Sequence, residues 1–210
     1  MKPRFISDIH LSEDAPHLTS AFKIFLNESK ETCTHLFILG DLFEIWIGDD
    51  DDNPFIQDIK KALINFTSDG PETFLMHGNR DFLIGETFAG EVGISLLPDP
   101  YTLNINSMKT ILSHGDFLCT DDADYIEFRN KVRSEEWQKE MLKKSLSERL
   151  LLAKNLREKS KNETLITPEA HEDIKKYGWD YNYIPSYMEI SFGNECNQKC
   201  FYCHPKASSR

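Results

Sequence analysis

The chain predicts an α/β fold built on a largely parallel sheet, and three observations predict it. Short apolar runs alternate with amphipathic helical stretches over the first hundred residues. Each apolar run is brief enough to be a buried strand and stops at a glycine or a strongly polar residue. The 210 residues, 40% of them hydrophobic and 28% charged, suit one domain, or one domain with an appendage.

The elements follow in order. Arg4–His10 alternates, is rich in Ile and Phe, and stops at the polar stretch Leu11–Asp14. Pro16–Lys30 reads as a helix, with Leu18, Phe22, Phe25 and Leu26 on one face. His35–Leu39 is a short apolar strand ended by Gly40-Asp41. Asp49–Asp52 forms a four-carboxylate turn, and Pro54 opens a helix through Phe66 with Phe55, Ile59, Leu63 and Phe66 at helical spacing. Gly70-Pro71 breaks it. Thr73–Met76 is the next strand, ended by His77-Gly78-Asn79-Arg80, and further strands are expected at Ile94–Leu97, Thr102–Ile105 and Thr110–Leu112. The last runs into His114-Gly115-Asp116. Asp124–Lys161 is nearly continuous helix-former interrupted at Ser134, which reads as a helical hairpin, with Leu142, Leu146, Leu150, Ala153 and Leu156 near one stripe of its second helix.

Charge narrows the function classes. The net charge of -11 weighs against general nucleic-acid binding. Yet Asp124–Lys161 holds 11 basic against 7 acidic residues, so a basic helical segment sits on an acidic body. It is either a surface for an anionic ligand or lipid headgroups, or a plain solvated face. No run is long and apolar enough for a transmembrane helix, and the opening MKPRFISDIH reads as a strand and not a signal peptide. Five cysteines, with Cys33 leading into an apolar strand, fit a disulfide framework poorly, so a cytoplasmic location is expected.

The polar residues carry the chemistry. Asp8 and His10 close the first apolar run, Asp41 the second, Asn79 follows the third, and His114 follows a later one. Ligands bind at the carboxyl ends of strands in open α/β sheets. Asp8 and His10 are two apart, so in an extended segment both side chains point the same way. Mixed oxygen and nitrogen donors suit Mn²⁺, Fe²⁺ or Zn²⁺ better than Ca²⁺. With Asp41 between two metals, such a pair lowers the pKa of a bridging water and clamps phosphoryl oxygens during an in-line displacement. Taken singly, each residue has a plain alternative: Asp8 as a loop cap, Asp41 as a turn residue, His114 as a satisfied strand-end histidine.

Asp8-x-His10, Gly40-Asp41-x-x-Glu44, Gly78-Asn79-Arg80-Asp81 and His114-Gly115-Asp116 together resemble the ordered blocks of the calcineurin-like metallophosphoesterases. FEIW after Leu42, GNRDFLIG at Gly78–Gly85, HGDFLCTDDADYIEFR at His114–Arg129 and the segment Val132–Lys161 resemble its UDP-2,3-diacylglucosamine pyrophosphohydrolase branch, which serves lipid A synthesis. The resemblance covers residues 4–161. It implies a β-sandwich flanked by helices (α-β-β-α), and hydrolysis of the substrate's pyrophosphate to 2,3-diacylglucosamine 1-phosphate and UMP. It implies Mn²⁺ held by Asp8, His10 and Asp41 at one site and by Asp41, Asn79 and His114 at the other, with Asp41, Asn79 and His114 as the catalytic set. Asn79, Arg80, Asp122, Arg157, Ser160 and Lys161 would bind substrate, Arg80 at a phosphate. The insertion, about residues 123–161, would be a lid whose leucine stripe lines lipid. The protein would sit peripherally on the cytoplasmic face of the inner membrane, against an anionic lipid surface.

The sequence also departs from that pattern. Family members close their core with His-Gly-His-Thr-His-Arg-Pro, which is absent here. His171 falls in a helix opened by Pro168, and His204 follows a cysteine cluster. The expectation is a metallophosphoesterase domain over 1–165 with its C-terminal end truncated, weak metal binding, and an atypical tail over 166–210. The alternative function is a catalytically impaired remnant that binds anionic lipid or nucleotide. In the tail, Cys196-x3-Cys200-x2-Cys203 follows a strand at Met188–Phe192 and resembles the cluster loop of radical S-adenosylmethionine enzymes. That resemblance implies a [4Fe–4S] cluster and a fragment of a fusion with such a protein. A zinc site with His204, a c-type haem attachment or inert cysteines are the rival readings.

Overall fold

The computed structural model describes residues 1–120 and 122–163, the last five by backbone alone. Cys196, Cys200, Cys203, His171 and the expected strand Met188–Phe192 lie outside the described residues.

Four parallel strands, β1 (Pro3–Ile6), β2 (His35–Leu39), β3 (Glu72–Met76) and β4 (Ser95–Leu97), lie side by side in chain order. They are joined by α1 (Pro16–Lys30), α2 (Pro54–Thr67) and α3 (Glu86–Val92). The antiparallel hairpin β5 (Tyr101–Ile105) and β6 (Met108–Leu112) forms a second sheet. The period-2 geometry of β2 sorts its side chains onto two faces. Leu36 and Ile38 pack with Phe22, Leu26, Ile59, Leu63 and Phe88 of the helices. Phe37 and Leu39 turn the other way, to Phe5, Met76, Ile105 and Leu112, and so bury the hairpin against the parallel sheet. Helices, parallel sheet and second sheet are three layers of the expected α-β-β-α arrangement.

Three elements differ from the sequence reading. β1 ends at Ile6, so Asp8 and His10 are not in a strand. Helix α3 was not anticipated: its seven residues, bounded by Gly85 and Gly93, are too few to display a helical period. The insertion is three helices and not a hairpin: α4 (Ala123–Val132), α5 (Glu135–Leu142) and α6 (Leu146–Glu163). Ser134 caps α5, as its position suggested, by accepting from the Trp137 amide. The second break is a capping box, Ser145-x-x-Glu148, in which the Glu148 carboxylate accepts from the Ser145 amide at 2.9 Å. Leu142 therefore belongs to α5, and the supposed stripe is split between two helices.

Candidate metal centre

Beyond β1 and β2 the chain runs on as two touching loops. The amides of Asp8, His10 and Leu11 donate to the carbonyls of Gly40, Asp41 and Leu42. Asp8, His10 and Asp41 all adopt positive φ, at 55°, 53° and 54°. For residues other than glycine this conformation costs roughly 1–3 kcal/mol each, and it concentrates at functional sites. Left-handed backbone, and not strand alternation, is what makes Asp8 and His10 converge.

Two glycines permit the convergence. Gly40 has φ +94°, and a Cβ there would lie 2.6 Å from His114 Nδ1 and 2.7 Å from Gly78 Cα. A Cβ on Gly78 would lie 2.0 Å from Asp41 Oδ1. The loops after β2, β3 and β6 meet closer than any side chain allows.

Asp41 is the hub. One ligand atom from each of Asp8, His10 and Asp41 lies within 4.8 Å of the others. His10 Nε2 is 3.7 Å from Asp41 Oδ2, and His114 Nε2 is 3.9 Å from the same oxygen. His114 is oriented by the Leu39 carbonyl, 2.9 Å from its Nδ1. The Arg80 amide donates to Asp41 Oδ1 at 2.9 Å, which ties the loop after β3 to Asp41. Asp41 is buried, and burial, then the charge of Asp81, lifts its pKa to about 6 against the pull of His114 and His10. A buried carboxylate facing another carboxylate is an environment short of positive charge.

The donor set fits divalent cations. It mixes carboxylate, imidazole and amide oxygen, and Asn79 Oδ1 is buried with no hydrogen-bond partner among the described residues. Arg80 Nε is likewise buried and unpartnered among the described residues, as a group awaiting an anion would be. Asp8, His10, Asp41 and His114 are thus brought together from three separate loops, and Asn79 precedes the residue whose amide binds Asp41.

Asp122 is exposed and caps α4 by accepting from the Tyr125 amide at 2.9 Å. Arg157 reaches the centre from α6 and pairs with Glu44. Ser160 and Lys161 lie on the α6 backbone beyond the described side chains.

Four residues present in the recognised blocks were not assigned a role by sequence reasoning. Asp81 is fully buried and accepts from the amides of Leu42 and Gly78, at 2.7 and 2.8 Å, tying two metal loops together. Glu44 Oε2 lies 2.8 Å from His10 Nδ1. Asp116 receives Arg129 at 2.9 Å and Arg133 at 3.1 Å. Burial opposes the charge of Asp116, but the two guanidiniums outweigh it and hold its carboxyl below the usual range. Tyr125 donates to Asp116 at 3.0 Å, and burial, then that carboxylate, pushes its phenol well above the ordinary value. The signal for all four was position: each is a polar residue two to eleven places beyond a candidate ligand.

The insertion therefore lies over the metal end of the sheet. Arg133 donates to the carbonyls of His77 and Gly78, Gln138 to that of Phe82, and Arg149 to that of Ile47. Leu142, Leu150, Leu151, Leu152 and Leu156 of the insertion are exposed. No helix among the described residues is long and apolar enough to cross a membrane.

The chain matches the family model of the calcineurin-like phosphoesterases over residues 1–202. It is 38% identical over 188 residues to a UDP-2,3-diacylglucosamine hydrolase of Histophilus somni, covering 90% of this chain and 78% of that one. Hydrolases of the same name match at 43% identity in Marinobacter nauticus (84% of this chain, 75% of that one) and at 44% in Proteus mirabilis (81% and 71%). A metal-ready cluster at the loop ends of a two-sheet core, in a chain that meets the family pattern nearly end to end, places this protein in the calcineurin-like phosphoesterase family.

Proposed function

We propose that this chain hydrolyses the pyrophosphate of UDP-2,3-diacylglucosamine, releasing 2,3-diacylglucosamine 1-phosphate and UMP, as a step of lipid A synthesis. One observation carries the substrate: identity of 38–44% with hydrolases of that name over most of both chains. The site supports the chemistry. Asp8, His10 and Asp41 would hold one Mn²⁺, and Asp41, Asn79 and His114 a second. Two such ions supply a nucleophile from water at neutral pH and offset charge on the phosphoryl oxygens.

The chain's own residues do the rest. Arg80, fixed through its amide to Asp41, offers a guanidinium for a phosphate of the substrate. Gly40 and Gly78 keep the approach to Asp41 free of side chains. Asp122, at the cap of α4, and Arg157, Ser160 and Lys161 of α6 would hold the sugar lipid. The exposed leucines of α5 and α6 would meet acyl chains. The exposed lysines beside them favour a peripheral position on an anionic, cytoplasmic membrane face.

Release of UMP from the purified chain, with and without manganese, tests the reading. The expected result is manganese-dependent release that Asp41→Asn abolishes. If the unaltered chain releases no more UMP than the variant, the chain is a binding remnant and the hydrolase reading fails.

A further inference from the structure

Arg129 lies in the last turn of α4 and Arg133 at its C-cap, four residues on, so both side chains leave the same face of the insertion's first helix. Arg129 Nη2 donates to Asp99 Oδ2 at 3.0 Å, and the Asp99 side chain is 2% exposed. The other Asp99 oxygen accepts from Ser113 Oγ at 2.7 Å, and that hydroxyl accepts from the Gly115 amide at 2.9 Å. On the far side, Arg133 Nη2 donates to Asp116 Oδ2 at 3.1 Å, where the Tyr125 hydroxyl of α4 also donates at 3.0 Å. The loop from Ser113 to Asp116 is therefore gripped from α4 on both flanks of His114.

Arg133 reaches further. The same nitrogen donates to the Gly78 carbonyl at 3.0 Å and to that of His77 at 3.3 Å, the two residues before Asn79. One guanidinium thus joins the loop after β3 to the loop after β6. Those strands belong to different sheets, so no ladder of strand pairing sets the distance between the two loops. Hydrogen bonds from a cation to a buried carboxylate are strong, and losing the donor leaves the acceptors unpaired. We infer that Arg129 and Arg133 are positioning residues of the metal centre: α4 sets where His114 stands, and Arg133 sets its distance from Asn79. The inference rests on the phosphoesterase reading of the site, but not on any particular substrate. It makes α4 part of the frame of the centre as well as its cover. Arg149 has no such link: its partners, Asp50, Ile47 and Lys144, lie outside the loops that carry the candidate ligands.

Amide hydrogen exchange in the metal-free full chain reads the two loops directly. Arg133→Met should speed exchange at the Gly78, Arg80 and Gly115 amides by about tenfold or more. Arg129→Gln should speed it at Gly115 alone. Arg149→Ala, which loosens α6 elsewhere, should change none of the three. Manganese affinity should then fall about 10–100-fold in Arg133→Met, recover in part in Arg133→Lys, and hold in Arg149→Ala. Unchanged exchange in a folded Arg133→Met overturns the inference, as does an equal rise in Arg149→Ala, which would mark a general loss of stability. Should Arg133→Met not fold, the Gly115 amide of Arg129→Gln decides in its place. Manganese affinity unchanged by Arg133→Met overturns it as well. The exchange readout needs neither metal nor substrate, so a chain that binds no manganese or releases no UMP leaves this result standing on its own.

Discussion

The guanidinium Nη1 of Arg149 donates to the carbonyl of Ile47 at 2.6 Å, across 102 residues of sequence. The same side chain is 3% exposed, donates to the Lys144 carbonyl at 3.0 Å, and pairs with both oxygens of Asp50. Asp50 in turn is held below the usual carboxylate range, first by its hydrogen bond to Arg149. α6 is thus fastened to the acidic turn by a buried polar anchor, while much of its leucine complement faces outward. Arg149→Ala should lower unfolding stability by about 1–3 kcal/mol, because the Ile47 and Lys144 carbonyls lose their partner. Asp50 stays open to water and adds little. Urea unfolding of the two proteins checks this, and an unchanged midpoint would show that α6 is fastened elsewhere.

Asp41 links metal binding to pH. Its carboxyl is raised to about 6, first by burial and then by Asp81, so below that pH the protonated form prevails and a metal must displace the proton. Apparent manganese affinity should be nearly flat above pH about 7 and fall roughly tenfold per unit below pH about 6. In the metal-free chain the sign is reversed. A raised carboxyl pKa favours the folded state increasingly as pH falls through it. Titrations at several pH values would reveal both, and an affinity unchanged down to pH 5 would contradict the burial argument.

Two glycines make a matched pair. Gly78→Ala would set a methyl 2.0 Å from Asp41 Oδ1 and 2.4 Å from the Asp41 amide, so the hub must move. Manganese binding and UMP release should both collapse. Gly90 lies inside α3, where an added Cβ meets nothing within 4 Å. Gly90→Ala should leave both functions intact and raise stability by about 0.5–1 kcal/mol. Thermal unfolding with manganese titration separates the two.

The basic surface is narrower than charge counting suggests. Arg149 is buried against Asp50, Arg129 and Arg133 pair with Asp116, and Arg157 meets Glu44 on the side of the metal centre. The outward cations of the insertion include Lys143, Lys144 and Lys154. Reversing those three to Glu should weaken flotation with anionic liposomes, by about 1 kcal/mol for each positive charge lost near the surface. Flotation as strong as that of the unaltered chain would leave the lysines as a plain solvated face.

The sequence by itself determined most of the strands, the two long helices between them and a set of candidate ligands. The spacing of Phe22 and Leu26, or of Ile59 and Leu63, declares a helix, because a 3.6-residue period needs no tertiary partner to be read. The strand ends were legible for the same local reason: an apolar run stops where a polar residue begins. Asp8, His10, Asp41, Asn79 and His114 could be named from those ends and from the blocks they form. Their convergence does not come from strand alternation. An extended segment places residues two apart on one face, but Asp8 and His10 meet through left-handed backbone, which depends on the neighbouring loop. The break at Ser145 was written in the sequence as a capping box but hidden within a run of good helix formers. What only the tertiary structure decided are the partnerships of the charged residues. Arg149 with Asp50, Arg157 with Glu44, Arg133 with Asp116 and Asp81 with the Leu42 amide join residues 17 to 113 positions apart. A charge in a sequence carries no record of whether it will face water or a buried opposite. Coulombic and hydrogen-bond energies depend on distance and burial, and those exist only once the sheet and its insertion have come together.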